Sequence, residues 1–178
     1  MSTGAKIPLA EAAKVAAEVV SALVPHCDRI EVAGSIRRCR PMVGDVEVVC
    51  IPRMVDVGKL FGTELVRNIG FAAAVDKWPK VKGDAAAGRY TQRVLPGGIK
   101  LDLFMTVPES WGLVLAIRTG SADYSHHVLA AGWVRAGYKS VDGMLRKQCG
   151  WQSGPGERDR DEEILGPPVP VREEADLF

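Results

Sequence analysis

Apolar residues recur at helical spacing in the first part of the chain and alternate with polar ones further on. Leu9, Ala13, Ala16, Val20 and Leu23 repeat every three to four positions, which predicts an amphipathic helix over Leu9 to Leu23. Pro8 suits its first turn and Pro25 ends it. The stretches "RIEVAG" and "DVEVVCI" are rich in Val and Ile and are bounded by Gly and Pro, the pattern of strands. Leu60, Phe61, Leu65 and Ile69 space as one side of a helix over Val57 to Ile69, though Gly58 and Gly62 weaken it.

The pattern then changes to extended runs. "AAVDKWPKVKG", "GRYTQRVL" and "IKLDLFMTV" are separated by "DAAAG" and "PGG", which predicts an antiparallel meander joined to the earlier strands. Pro108 opens a helix through Ile117, and a second helix spans Ala122 to Arg135. "YKSVDGMLRKQ" reads as a hairpin. The polar, Pro-rich tail carries one short helix around Asp161 to Leu165. No repeat is visible, and the best subdomain seam lies near Arg118 to Ser121.

Composition narrows this picture. The chain has 178 residues, 47% of them hydrophobic, enough for one domain or one domain with a small appendage. A net charge of +1 argues against a broad basic surface, although a local basic stripe remains compatible with nucleic acid. Cys27, Cys39, Cys50 and Cys149 form no CxxC pair, and no His lies at zinc-ligand spacing, so free thiols are expected. The apolar N-terminal run is broken by Glu11, Lys14 and Glu18, too often to span a bilayer. A cytoplasmic protein without membrane contact is expected.

Candidate chemistry concentrates in "IEVAGSIRRCRPMVGDVEVVC". Asp45 and Glu47 stand at i and i+2 of a strand, so both leave one face while Val46 and Val48 leave the other. In "IKLDLFM", Lys100 and Asp102 alternate in the same way with Leu101 and Leu103. If the two strands are neighbours, three carboxylates converge, and such crowding calls for cations. An all-oxygen donor set suits Mg²⁺ or Mn²⁺. Two such ions about 3.5–4 Å apart clamp an in-line phosphoryl transfer. Gly34 and Ser35 would cradle phosphate oxygens, and Arg37 or Arg38 would neutralise a triphosphate. Alone, an Asp-x-Glu on a strand is ordinarily a solvated face; the joint pattern is harder to obtain by accident.

"GSIRRCRPMVGDVEVV" closely resembles the nucleotidyltransferase signature of the X-family DNA polymerases, the polymerase beta group. "KLDLFM" resembles the strand bearing that family's third metal ligand. "RTGSADYSHHVLAAGWVRAGYKSVDGML" resembles its nucleotide-binding segment, and "DEEILGPPVPVREE" its C-terminal signature. The resemblance covers nearly the whole chain. It implies an α/β (α+β) fold: a palm with a mixed, largely antiparallel sheet and flanking helices over 1–117, and a small C-terminal α/β subdomain over 118–178. The implied activity is metal-dependent transfer of a nucleotide from a dNTP to a DNA 3′-hydroxyl, with release of pyrophosphate, in short gap filling or end processing during DNA repair.

By the same resemblance, Asp45 and Glu47 bind both metal ions and Asp102 binds the catalytic one, with Mg²⁺ as cofactor and Mn²⁺ as substitute. Ser35 and Arg38 match triphosphate ligands, with Gly34 allowing close approach. Lys100 falls where the family has a cation near the primer terminus, and its place on the face of Asp102 agrees with that independently. Thr119, Gly120 and Ser121 match the turn beneath the incoming sugar, where Ser121 would also cap the next helix.

Departures from the family pattern qualify these expectations. Ile117 and Arg118 replace residues that exclude ribonucleotides, so NTP use stays open. Ala122 and Ser125 replace residues that contact the base. With no lyase or helix-hairpin-helix domain ahead of the first helix, no abasic-site lyase activity is expected. A monomer is expected, with DNA affinity resting on Lys80, Lys82, Arg89, Arg93 and Arg135. Two alternatives remain: a nucleotidyltransferase acting on RNA, protein or a small molecule, and a non-catalytic nucleotide- or DNA-binding scaffold.

Overall fold

The alternation in "DVEVVCI" and "KLDLFM" becomes two adjacent strands at the middle of a five-stranded sheet. The computed structural model describes residues 6–59, 62–152 and 162–177. The chain is mixed α/β and divides into two compact units, Met1–Val107 and Pro108–Phe178.

In chain order the first unit contains β1 (Ile7–Pro8), α1 (Leu9–Leu23), β2 (Cys27–Val32), α2 (Gly34–Arg37), β3 (Met42–Val43) and β4 (Asp45–Pro52). There follow β5 (Met54–Lys59), β6 (Gly62–Arg67), α3 (Ile69–Val75), β7 (Lys80–Gly83), β8 (Tyr90–Val94) and β9 (Lys100–Met105). The main sheet has the order β2-β4-β9-β8-β7. Strands β7, β8 and β9 form the expected antiparallel meander, and β9 joins the earlier strands by running parallel to β4.

One face of this sheet is apolar. Val46, Val48, Leu101 and Leu103 are fully buried and pack with Val19 and Leu23 of α1 and Phe71 and Val75 of α3. Each such side chain contributes about 1.5–3 kcal/mol of burial. Helix α1 has the predicted bounds. It buries Ala12, Ala16, Val19 and Leu23, a stripe turned slightly from the predicted one.

Of the segment predicted to be helical over Val57 to Ile69, the part up to Arg67 belongs instead to the hairpin β5–β6, with Met54 opposite Arg67 and Gly58 opposite Thr63, and Ile69 opens α3. Its apolar spacing does not mark a buried face, since Leu65 is 64% and Ile69 85% exposed. Leu60 and Phe61 lie outside the described residues. Helix α3 takes the beginning of "AAVDKWPKVKG", capped by Asn68, whose Oδ1 accepts from Gly70 N–H at 2.7 Å. Only the end of that run, β7, is extended.

The second unit contains α4 (Trp111–Thr119), a π-helical segment (Tyr124–Ala130) leading into α5 (Ala131–Arg135), then β10 (Tyr138–Val141), β11 (Met144–Gln152) and β12 (Glu162–Val169). The hairpin β10–β11 is as predicted, and β12 completes an antiparallel sheet. Residues 162–165 are therefore strand, not the predicted short helix; Asp161 lies outside the described residues. Pro167 and Pro168 lie further along the same strand, after Gly166, and β12 is an edge strand, the position in a sheet that tolerates them. The division between units falls at Val107/Pro108 rather than at 117/118. The reason is that Leu113 and Ala116 of α4 pack with Leu129, Trp133, Leu145 and Val171.

Candidate active site

The strand register decides whether the carboxylates meet. Strands β4 and β9 run parallel with Asp45 opposite Lys100, Val46 opposite Leu101 and Glu47 opposite Asp102. Because side chains alternate, Asp45, Glu47, Lys100 and Asp102 share one half-exposed face while their neighbours fill the core. The three predicted carboxylates and the predicted lysine therefore lie on one face of two neighbouring strands.

Electrostatics agree with that placement. Burial holds the Asp45 carboxyl above its ordinary value, and the negative charge of Asp102 adds to the effect. Lys100 and Arg38 pull it back down. Among the described residues, no three His, Cys, Asp or Glu side chains are drawn together closely enough to enclose a metal ion. Like charges on facing strands repel and rest apart unless a cation joins them.

The turn after β2 brings the backbone over this cluster. Ala33 N–H donates to the Glu47 carbonyl at 2.8 Å, extending the β2–β4 ladder to the start of α2. Gly34 then adopts φ +60°, a left-handed conformation, and a Cβ there would overlap the Glu47 carboxylate. Arg38 N–H donates to the Gly34 carbonyl at 3.2 Å, closing the helical turn. The Ser35 hydroxyl oxygen is buried and has no hydrogen-bond partner among the described residues. A buried, unpartnered hydroxyl next to the glycine that packs on Glu47, and a strand face of carboxylate oxygens, are the donor chemistry that a divalent cation carrying phosphate takes.

The two arginines separate in role. Arg38 is half-buried and its charge acts on Asp45. Arg37 is exposed, with one guanidinium nitrogen 4.0 Å from a Glu31 carboxylate oxygen. Arg38 is therefore the better candidate of the two for a group near the carboxylates.

Two participants were missed by the sequence reading. Asp102 Oδ1 accepts a hydrogen bond from the Tyr90 hydroxyl at 2.6 Å and another from Gln92 Nε2 at 2.7 Å. Both donors lie on β8, with Gln92 directly opposite Asp102. The i, i+2 spacing of Tyr90 and Gln92 in a predicted strand was the available signal. It pointed to this face only once β8 was known to neighbour β9.

Arg93, expected among the cations for DNA, is 3% exposed. It pairs with Asp76 at 2.8 Å and donates to Thr91 Oγ1 and the Trp78 carbonyl, so it is a structural pin. Lys80, Lys82, Arg89 and Arg135 are exposed.

Thr119, Gly120 and Ser121 belong to the second unit, at the end of α4. Ser121 Oγ accepts from the Tyr124 N–H at 3.2 Å, the expected cap. A Cβ on Gly120 would crowd Tyr124 and Ser125. Ser125 commits its hydroxyl to the Ile117 carbonyl at 3.0 Å. All four cysteines are free thiols, Cys27 and Cys50 in the core. Among the described residues, no helix is long and apolar enough to cross a membrane.

Compared with known proteins, the chain matches no family model and no curated sequence.

Proposed function

We propose that the protein is a metal-dependent nucleotidyltransferase with the palm of an X-family DNA polymerase, adding a nucleotide from a dNTP to a DNA 3′-hydroxyl. The observation that carries this reading is the β4–β9 register, with Glu47 opposite Asp102 and Asp45 opposite Lys100 beneath the Gly34 turn. A scaffold with no use for three carboxylates on one face would gain by losing them, because crowded like charges destabilise a fold.

In this reading Asp45 and Glu47 hold two Mg²⁺ ions, Asp102 holds one of them, and Mn²⁺ substitutes. Bound there, the ions would supply a lowered pKa for the attacking hydroxyl and charge compensation for the leaving pyrophosphate. The chain's own residues position the reactants. Gly34 lets the triphosphate approach the backbone, Ser35 donates its hydroxyl to a phosphate oxygen, and Arg38 offsets phosphate charge. Asp102 orients the primer hydroxyl, and Lys100 holds the primer terminus near it. For Thr119, Gly120 and Ser121, in the second unit, a role toward the incoming sugar rests on the resemblance alone. Gap filling or end processing in DNA repair is the setting that the resemblance implies.

A transferase acting on RNA, protein or a small molecule is the second reading, favoured by Ile117 and Arg118 and by the near-neutral charge. Thermal unfolding with Mg²⁺ and each nucleotide separates both from a scaffold. Ligand at a hundred times its Kd stabilises by about 2.7 kcal/mol, so Tm should rise with Mg²⁺ and dNTP together. An unchanged Tm under all metal and nucleotide conditions would remove the enzyme reading.

A further inference from the structure

Two uncharged donors on one strand converge on a single oxygen of Asp102, and that convergence is more than an exposed strand face requires. Tyr90 and Gln92 sit at i and i+2 of β8, so both side chains leave the face that bears Asp102 on β9. The two hydrogen bonds, 2.6 Å and 2.7 Å, share Oδ1. Neither of these bonds engages Oδ2.

The donors are themselves held. The Tyr90 ring lies 5.1 Å from the Phe104 ring, centroid to centroid, with an interplanar angle of 31°. The Lys82 ammonium stands 5.3 Å from the centre of the Tyr90 ring, within cation–π range. The Gln92 backbone is fixed by its place opposite Asp102 in the ladder. A solvated carboxylate would turn among its rotamers. This one is tied at one oxygen by two donors from the neighbouring strand, one of them on a ring packed against Phe104.

We propose that Tyr90 and Gln92 are positioning residues that lock Asp102 in one orientation, with Oδ1 engaged by β8 and Oδ2 offered to a divalent cation. This deepens the reading of Asp45, Glu47 and Asp102 as a metal site and rests on it. The consequence is that the cation affinity of the site is set partly from β8, a strand that supplies no metal ligand. Hydrogen bonds to an ionised acceptor are about twice as strong as neutral ones. Loss of such an outer partner lowers metal affinity by about ten- to a hundredfold.

The test uses Tyr90→Phe, which keeps the ring against Phe104, Gln92→Met, which keeps the side-chain length, and the double variant. Free Mn²⁺ is followed by electron paramagnetic resonance as each protein is titrated with Mn²⁺ alone and with Mn²⁺ plus dATP. Thermal unfolding without metal is measured alongside. The expected result is a Kd for Mn²⁺ raised about tenfold in each single variant and further in the double. Where turnover is measured, kcat should fall at low Mn²⁺, recover at high Mn²⁺, and leave the KM for nucleotide nearly unchanged. Lowered Tm with unaltered Mn²⁺ binding would show a merely structural bond and overturn the proposal. Wild-type protein that binds Mn²⁺ while all three variants bind it equally well would overturn the clamp and leave the metal site standing. Wild-type protein that binds no Mn²⁺ in either titration would overturn the metal site, and the clamp with it.

Discussion

Gly34 is held to its identity from two directions. Its φ of +60° disfavours any L side chain, and the space a Cβ would need belongs to the Glu47 carboxylate. The conformation alone costs a non-glycine residue about 1–2 kcal/mol. Gly34→Ala should therefore lower stability in urea unfolding by at least that amount and, in the proposed reading, reduce metal-dependent activity further than stability explains, because Glu47 must move. Asp45 makes a prediction of opposite sign. Its carboxyl is raised by burial and by Asp102, so the folded state holds the proton more tightly than the unfolded chain. Stability of the metal-free protein then falls as pH rises from the ordinary carboxylate range through the raised value. Asp45→Asn removes that penalty. It should raise the metal-free Tm at neutral pH, with the gain vanishing in acid below the ordinary carboxylate range, and, in the proposed reading, abolish nucleotide transfer. A Tm that drops at neutral pH would mean that Asp45 is held by partners rather than strained by neighbours.

At the scale of elements, the strands that matter were readable because alternation has one meaning on a sheet covered on one side. "DVEVV" and "KLDLF" divide cleanly into buried Val46, Val48, Leu101 and Leu103 and half-exposed Asp45, Glu47, Lys100 and Asp102. Their pairing was a conditional expectation, and the parallel register supplies what alternation cannot, namely which residue faces which. The hairpin β5–β6 was misread because apolar spacing at Leu65 and Ile69 mimics a helix although both are exposed, and Gly58 and Gly62 carried the truer signal. Arg93 was misread as surface charge because nothing local reveals its ion pair with Asp76, which lies 17 positions earlier, at the end of α3. This pair separates two kinds of cation. Arg93→Ala removes a buried guanidinium together with its ion pair to the exposed Asp76 and its bonds to Thr91 and Trp78, and should lower Tm without changing the salt dependence of DNA binding. Lys82→Ala leaves Tm nearly unchanged. If Lys82 contacts a phosphate, that variant should lessen the slope of log affinity against log salt by about 0.7–0.9. Fluorescence anisotropy across a salt series reads both.

For the molecule as a whole, composition and constellation pull in different directions, and the constellation is the more informative. A net charge of +1 over 178 residues argues against a broad basic face. DNA contact, in the proposed reading, rests on few cations and should be weak and salt-sensitive. The first unit holds the three carboxylates, Lys100, the Gly34 turn and the β8 donors. The second holds Thr119, Gly120 and Ser121, with Ser121 capping the segment that follows. The central claim is that the carboxylate face of β4 and β9 transfers nucleotides to DNA. Primer extension tests it most directly, with Mg²⁺ or Mn²⁺, on single-stranded, recessed and one-nucleotide-gapped DNA, with dNTPs and with NTPs, and with Asp102→Ala beside the wild type. The account predicts extension that requires the divalent ion and disappears in Asp102→Ala, with the dNTP-to-NTP ratio reporting on Ile117 and Arg118. No extension of any DNA substrate under any of these conditions, or extension that survives in Asp102→Ala, would contradict it.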